Sequence, residues 1–148
     1  MYQNTFNDDL KFGQVYELLA LKYIHYDSYT QPRGYYPGFD IETYKNGIRT
    51  RYEVKSDTVS WDFGSILIEY ANGYKKSGIQ TSQSDHYIYF LINPRIPEEF
   101  RVFIIPTTEL KKLCQRSDVK TIECGHRKKS KCYLINLTDI RFYEVWTI

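Results

Sequence analysis

Gly38-Phe-Asp-Ile-Glu-Thr-Tyr-Lys-Asn-Gly-Ile-Arg-Thr-Arg-Tyr-Glu-Val-Lys55 is the stretch on which the reading of this chain turns. Asn46-Gly47 lies between two alternating runs and is a strong β-hairpin signal, because a type I′ turn needs φ > 0 at both central residues. With that turn, Lys45 faces Ile48, Thr43 faces Thr50, Ile41 faces Tyr52 and Phe39 faces Val54, which makes one coherent apolar face. On the other face Glu42 meets Arg51, Asp40 stands directly across from Glu53, and Lys55 follows Glu53 on the same side. One pair is unfavourable. Asp40 and Glu53 would set like charges with Cβ atoms ~5 Å apart, which destabilises a hairpin unless something neutralises them. Two carboxylates so placed suit a hard divalent cation with oxygen ligands. A lysine two residues along could orient or deprotonate a water beside it, and this is the equipment for metal-assisted phosphodiester hydrolysis. The plainer alternative is a pair of surface carboxylates, one held by Arg51 or Lys55.

Outward from the hairpin, the spacing predicts a helix from Asn7 or Asp8, either a plausible N-cap, to about His25. Phe12, Val15, Tyr16, Leu19 and Tyr23 form one apolar face, and Gly13, Ala20, Leu21 and Ile24 form a second, smaller one, so a sandwiched helix is expected. Pro32, Gly34, Pro37 and Gly38 punctuate a loop. Strands are expected over 39–44, 48–56, 65–70, 86–92 and 101–106, then a short helix capped by Thr107 or Thr108 and running to about Arg116. Val119–Cys124 and Cys132–Leu137 read as strands around a polar loop, Gly125–Lys131. The order implies one α/β (α+β) domain over residues 1–148, a mixed sheet with helices packed on it.

Composition agrees with a folded single domain: 148 residues, 42% hydrophobic, 17% aromatic, net charge +2. That charge is too small for a wholly electrostatic DNA binder, and no stretch approaches the ~20 apolar residues of a membrane span. The start, MYQNTFNDDLKFG, has no signal-peptide pattern, and Cys114, Cys124 and Cys132 have no CxxC spacing. A reducing, cytoplasmic setting is the expectation.

Asp, a gap, then Glu-x-Lys on a hairpin after an N-terminal helix resembles the PD-(D/E)xK nuclease superfamily, which includes restriction enzymes and Holliday-junction resolvases. Here the motif reads Pro37-Gly38-Phe39-Asp40 and Glu53-Val54-Lys55, with Phe39 in place of the family's proline before the aspartate. Glu17, among the small residues of the first helix, matches a glutamate that many members direct toward the metal. Ser77-Gly78-Ile79-Gln80-Thr81, ending in Asp85 just before the run Ile88–Ile92, looks like phage- and virus-type members. The resemblance covers roughly Glu17 to Ile92. It implies a restriction-endonuclease-like mixed sheet flanked by helices, and a Mg²⁺-dependent endodeoxyribonuclease, with Mn²⁺ able to substitute. Asp40, Glu53, the Val54 carbonyl and Glu17 would bind the metal, and Lys55 would serve the water. By the same likeness the chain would be a homodimer acting on branched or duplex DNA, in a cell or in the host of a virus or phage. An RNA endonuclease, a restriction-type nuclease, and a non-catalytic nucleic-acid-binding protein are the alternatives.

Glu69 interrupts an apolar run and needs a partner if buried, so it is a candidate supporting residue beside the metal, as are Thr81, Gln83 and Asp85. The alternative for the last three is an ordinary turn and cap. His25, His86 and His126 show no ligand spacing. From Arg101 to Lys131 basic residues outnumber acidic ones nine to three, so the remainder of the chain is net acidic. Arg127, Lys128, Lys129 and Lys131, with Lys75 and Lys76, are the candidate phosphate contacts, and Lys45 and Arg49 could extend them.

Overall fold

A computed structural model of the chain describes residues 2–33, 36, 38–125, 127 and 129–146, with side chains from Lys11 onward. Of the residues singled out above, Gly34, Pro37, His126 and Lys128 lie outside the described residues. Helix α1 (Tyr2–Ala20) runs into a 3₁₀ turn at Leu21–Tyr23. Strands β1 (Ser28–Thr30), β2 (Ile41–Lys45), β3 (Ile48–Asp57), β4 (Ser65–Asn72) and β5 (Lys75–Lys76) follow. Then come β6 (His86–Ile92), β7 (Phe100–Pro106), α2 (Thr107–Cys114), β8 (Lys120–Cys124), β9 (Ser130–Asn136), α3 (Leu137–Ile140) and β10 (Glu144–Val145). No helix among the described residues is long and apolar enough to cross a membrane.

The strands form a six-stranded mixed sheet, ordered β1-β2-β3-β6-β7-β10, and a four-stranded sheet, β5-β4-β9-β8. In the first sheet only β3 and β6 run parallel; the chain between them supplies β4 and β5 to the second. Strand β6 (HYIYFLI) reads as continuously apolar because both its faces are covered. Ile88, Phe90 and Ile92 meet Tyr16 and Ala20 of α1, whereas Tyr87, Tyr89 and Leu91 meet Ile66, Ile68 and Ile135 of the second sheet. Tyr16 packs on the Phe90 ring at 5.1 Å between centroids.

The α+β class is as expected, and the β2–β3 register from Ile41–Tyr52 to Lys45–Ile48 matches the pairing read from Asn46-Gly47. Asn46 and Gly47 both adopt positive φ (51° and 77°), as that turn requires. Five expectations need correction. The first helix begins at Tyr2, so Asn7 and Asp8 lie inside it instead of capping it, and it ends at Ala20, short of His25. It is not sandwiched: Phe12, Val15 and Leu18 are exposed because one face alone meets the sheet. A second sheet, not only helices, covers the other face of the mixed sheet. Thr107 starts α2 with Pro106 at the cap position and no side-chain cap. The polar loop before β9 is shorter than expected, since pairing with β4 and β8 already begins at Ser130.

On β8 and β9 the free thiols of Cys124 and Cys132 lie 2.9 Å apart, neighbours in space despite the absence of CxxC spacing. The Ser77-Gly78-Ile79 segment also acquires a structural reason. Ile79 is buried in the inter-sheet core, and Gly78 (φ +54°) passes so close to β4 that an added Cβ would meet the Glu69 carbonyl oxygen at 2.1 Å. Backbone cannot yield like a flexible side-chain tip, so Gly78→Ala combines an overpacking cost with a left-handed conformation. We expect a loss of about 3 kcal/mol or more in urea unfolding; a change below about 0.5 kcal/mol would contradict this close approach.

Candidate active site

The site begins where β2 leaves β3. Beyond the Ile41–Tyr52 pair the ladder does not continue: the Asp40 N–H donates to the Tyr52 carbonyl at 2.8 Å, and the Asp40 carboxylate accepts the Val54 N–H at 2.8 Å. Asp40 is therefore not ladder-paired with Glu53, nor Phe39 with Val54, as strict continuation of the hairpin predicts. A short acidic side chain has competed with the backbone for a strand N–H. The outcome still ties Asp40 to the residue next to Glu53. The Val54 carbonyl lies on the same strand edge as its N–H, so it faces the same gap.

On the opposite edge β3 pairs in parallel with β6, matching Glu53 to Tyr87, Lys55 to Tyr89 and Asp57 to Leu91. Matched residues share a face, and this one looks toward the second sheet. The deepest of these polar groups, Asp57, is satisfied: its carboxylate accepts from the Tyr89 hydroxyl and from the Val59 and Ser60 N–H groups. Nearer the opening, Glu53 is 9% exposed and its carboxylate takes a 3.1 Å contact from the Lys55 ammonium. The Tyr87 hydroxyl, in register with Glu53, is buried without a hydrogen-bond partner among the described residues.

Glu17 reaches this cluster from α1, half-buried and hydrogen-bonded by the Gln31 amide at 3.3 Å. Burial raises its carboxyl to about 7, and the charges of Asp40 and Glu53 push the same way. Burial likewise raises Asp40, opposed by the Val54 N–H and by Lys55. Glu53 is raised by burial against the pull of Lys55, with Asp40 and Glu69 adding repulsion. Desolvation works against the Lys55 ammonium, but Glu53, then Asp40 and Glu69, outweigh it and raise its pKa. The site is thus three carboxylates repelling one another around one cation, with the Glu69 charge close enough to act on Glu53 and Lys55.

Glu69, half-buried on β4, has the partner its position demands: the Ser77 hydroxyl donates to it at 2.9 Å. The other polar candidates hold the scaffold. The Gln83 N–H binds the Gly38 carbonyl at 2.8 Å and its side-chain oxygen accepts from Tyr36, which fixes the approach to Asp40. The Asp85 carboxylate accepts the Arg51 N–H at 2.8 Å and docks β6 on β3, whereas the Thr81 hydroxyl closes the turn at Gly78. Glu42 meets Arg51 at 2.8 Å, as the hairpin register requires. Reading the sequence passed over Gln31 and Tyr87. Nothing in a polar loop marks Gln31, and Tyr87 looks like one more core aromatic until its register with Glu53 is known.

The basic candidates converge elsewhere. Across one end of the second sheet Lys76, Ala71 and Lys131 form one row, and Lys75, Asn72 and Ser130 the next. The Gly73 N–H binds the Lys129 carbonyl at 2.8 Å, joining the turn after β4 to the segment before β9. Arg127 is exposed at that same end. Asn72 is three residues from Glu69 on β4, so this basic end begins about 10 Å from the acidic cluster. On the other flank an open cleft is lined by Gln31, Tyr36, Phe39 and Arg51, the Arg51 guanidinium standing 4.5 Å over the Phe39 ring.

Among the described residues no three Asp, Glu, His or Cys side chains are drawn together closely enough to hold an ion by themselves. The donors nearest the gap, related through the Val54 backbone and by mutual charge, are all oxygens: Asp40, Glu53, the Val54 carbonyl and Glu17. They suit a hard cation such as Mg²⁺ or Mn²⁺ and offer nothing to a thiol- or imidazole-seeking metal. Their mutual repulsion and the unpartnered Tyr87 hydroxyl are what a bound cation and its water would relieve.

The Glu17 shift has a measurable consequence. Its folded pKa, about 7, lies above the ordinary 4.5, so its favourable contribution is full below pH 4.5 and lost as pH rises through 7. In thermal melts of chelator-treated protein, Glu17→Gln should therefore gain over wild type, little at pH 5 and more at pH 8. An equal difference at the two pH values would place Glu17 outside the cluster. Compared with known proteins, the chain matches no family model, no curated protein and no solved structure.

Proposed function

We propose that this chain is a Mg²⁺-dependent endodeoxyribonuclease of the PD-(D/E)xK type, hydrolysing phosphodiester bonds in branched or duplex DNA. The observation that carries the reading is that Asp40, bonded to the Val54 N–H, stands within charge reach of the Glu53–Lys55 ion pair where β2 departs from β3, with Glu17 adding to the same field from α1. Asp40 and Glu53 would hold the cation, with the Val54 carbonyl and Glu17 in support. Bound there, such an ion offsets phosphate charge and lowers the pKa of a water.

The chain's own groups divide the remaining work. Lys55, kept cationic by Glu53, donates hydrogen bonds: it orients the attacking water and stabilises charge gathering on the phosphate oxygens. A raised pKa makes the ammonium a poor base, so orientation is favoured over proton abstraction. Glu17, whose carboxyl stands near 7 while only the neighbouring acids act on it, would be drawn into its ionised form by the cation it supports. The basic end of the second sheet supplies phosphate contacts one or two nucleotides from the site, which position a backbone without reading its sequence. Tyr36 and Arg51, the latter seated on the Phe39 ring, offer aromatic and guanidinium surface for an unstacked base on the other flank. A surface built from phosphate contacts and stacking suits recognition of DNA shape, so a junction-resolving role in recombination, carried out by a homodimer, is the specific form of the proposal.

The test is cleavage of branched and linear DNA, with RNA alongside, in Mg²⁺, Mn²⁺ and EDTA. Wild type should cut DNA only with metal. Asp40→Asn retains an oxygen for the Val54 N–H and so should melt within a few degrees of wild type, yet lose on the order of 10³-fold in turnover. Lys55→Ala should lose a comparable factor. No cleavage of any nucleic acid by pure wild type, or cleavage by both variants at the wild-type rate, would overturn the catalytic reading. Metal-independent DNA binding that survives Asp40→Asn would favour a non-catalytic binder.

A further inference from the structure

Three residues of β6 stand in register with Glu53, Lys55 and Asp57 on one face of β3, and two of the pairs are chemically closed. Leu91 lies beside Asp57, whose oxygens are taken by backbone N–H groups and by Tyr89. Tyr89, beside Lys55, donates to Asp57 and receives the Leu67 N–H at 3.3 Å. The third pair is open. Tyr87, beside Glu53, is 1% exposed, and its hydroxyl has no partner among the described residues. Of the hydroxyls around it, Ser82 lies close enough to act on Tyr87 but is held by Ser84 at 2.7 Å, and Ser84 by Thr107 at 3.1 Å. A buried tyrosine hydroxyl without a partner is a standing cost that a phenylalanine would avoid at once.

Glu53 is the natural acceptor. Its Oε1 takes the Lys55 ammonium, the group that on the reading above turns toward the attacking water. Once Lys55 turns away and one Glu53 oxygen faces a cation, the other oxygen needs a donor to keep the carboxylate in place. Ligating groups are regularly held by such an outer hydrogen bond. We propose that the Tyr87 hydroxyl is that donor, a positioning residue that holds the Glu53 carboxylate in its ligating orientation, directly or through one water. Burial and then the Glu53 charge raise the Tyr87 pKa, so the hydroxyl keeps the proton it has to donate. The inference rests on the metal-site reading above and adds to it a residue from a strand that carries none of the motif.

Calorimetric titration with MnCl₂ alone tests it, on the full chain after chelator treatment, as wild type, Tyr87→Phe and Asp40→Asn. Tyr87→Phe should bind Mn²⁺ about 10- to 100-fold more weakly than wild type. Its metal-free melting temperature should be unchanged or higher, because no hydrogen bond is lost. Raising Mg²⁺ should restore its DNA cleavage, which it should not do for Asp40→Asn. Mn²⁺ affinity of Tyr87→Phe within twofold of wild type, or a lower metal-free melting temperature, would overturn the proposal. If Asp40→Asn fails to bind Mn²⁺ while Tyr87→Phe binds normally, the role of Tyr87 alone falls. If wild type itself binds none, the metal site falls with it.

Discussion

A single hydrogen bond, from the Val54 N–H to the Asp40 carboxylate, sets the geometry of the acidic edge of the mixed sheet. By claiming an N–H on the edge of β3, the carboxylate stops the β2–β3 ladder and lets the preceding chain swing aside. The Gly38 carbonyl is then free to accept from Gln83, and Phe39 turns to lie under Arg51. The same bond fixes Asp40 beside Glu53 without the strand-opposed contact that would be most repulsive. Backbone donors thus compensate part of the cost of gathering acids, and Lys55 compensates more. What is left uncompensated shows in carboxyls displaced upward, a form of stored tension that accompanies sites made to receive charge.

Around this point the two cores divide the labour. The cluster under α1 holds the back of the sheet and brings Glu17 to its edge. The inter-sheet cluster packs against the polar face of β3, burying Glu53 and Asp57 and leaving the Lys55 side chain partly exposed. Strand β4 links the two themes, carrying Glu69 within electrostatic reach of Glu53 and then running on to the basic rows. The net charge of +2 conceals this partition: acids are collected at the mouth of one sheet, bases at the end of the other.

Much of this was legible in the sequence because the signals are local. Asn46-Gly47 specified a turn whose register held over five pairs, and β6 was recognisable as an unbroken apolar run. The slip at Asp40 was not legible. Alternation of polar and apolar residues says which face a side chain takes, but not that a carboxylate will displace a carbonyl as a hydrogen-bond partner. The second sheet was hidden for another reason: β4 pairs with β9 some sixty to seventy residues on, a distance over which no short pattern carries information. Tyr87 escaped notice because a hydroxyl with no partner leaves no trace in a string of apolar letters.

The hairpin's alternation also governs which changes of length the chain can absorb. A residue added to one arm between Asp40 and Glu53 would move every side chain beyond it to the opposite face. Asp40 or Glu53 would then turn toward α1, and the Val54 N–H would lose its carboxylate. Residues added two to each arm would carry the Asn46-Gly47 tip further into solvent with its closing pair still on a hydrogen-bonded rung. Spacing between the two acids is therefore free to drift only in even steps. Among divergent copies of such a gene, parity would be preserved where length is not.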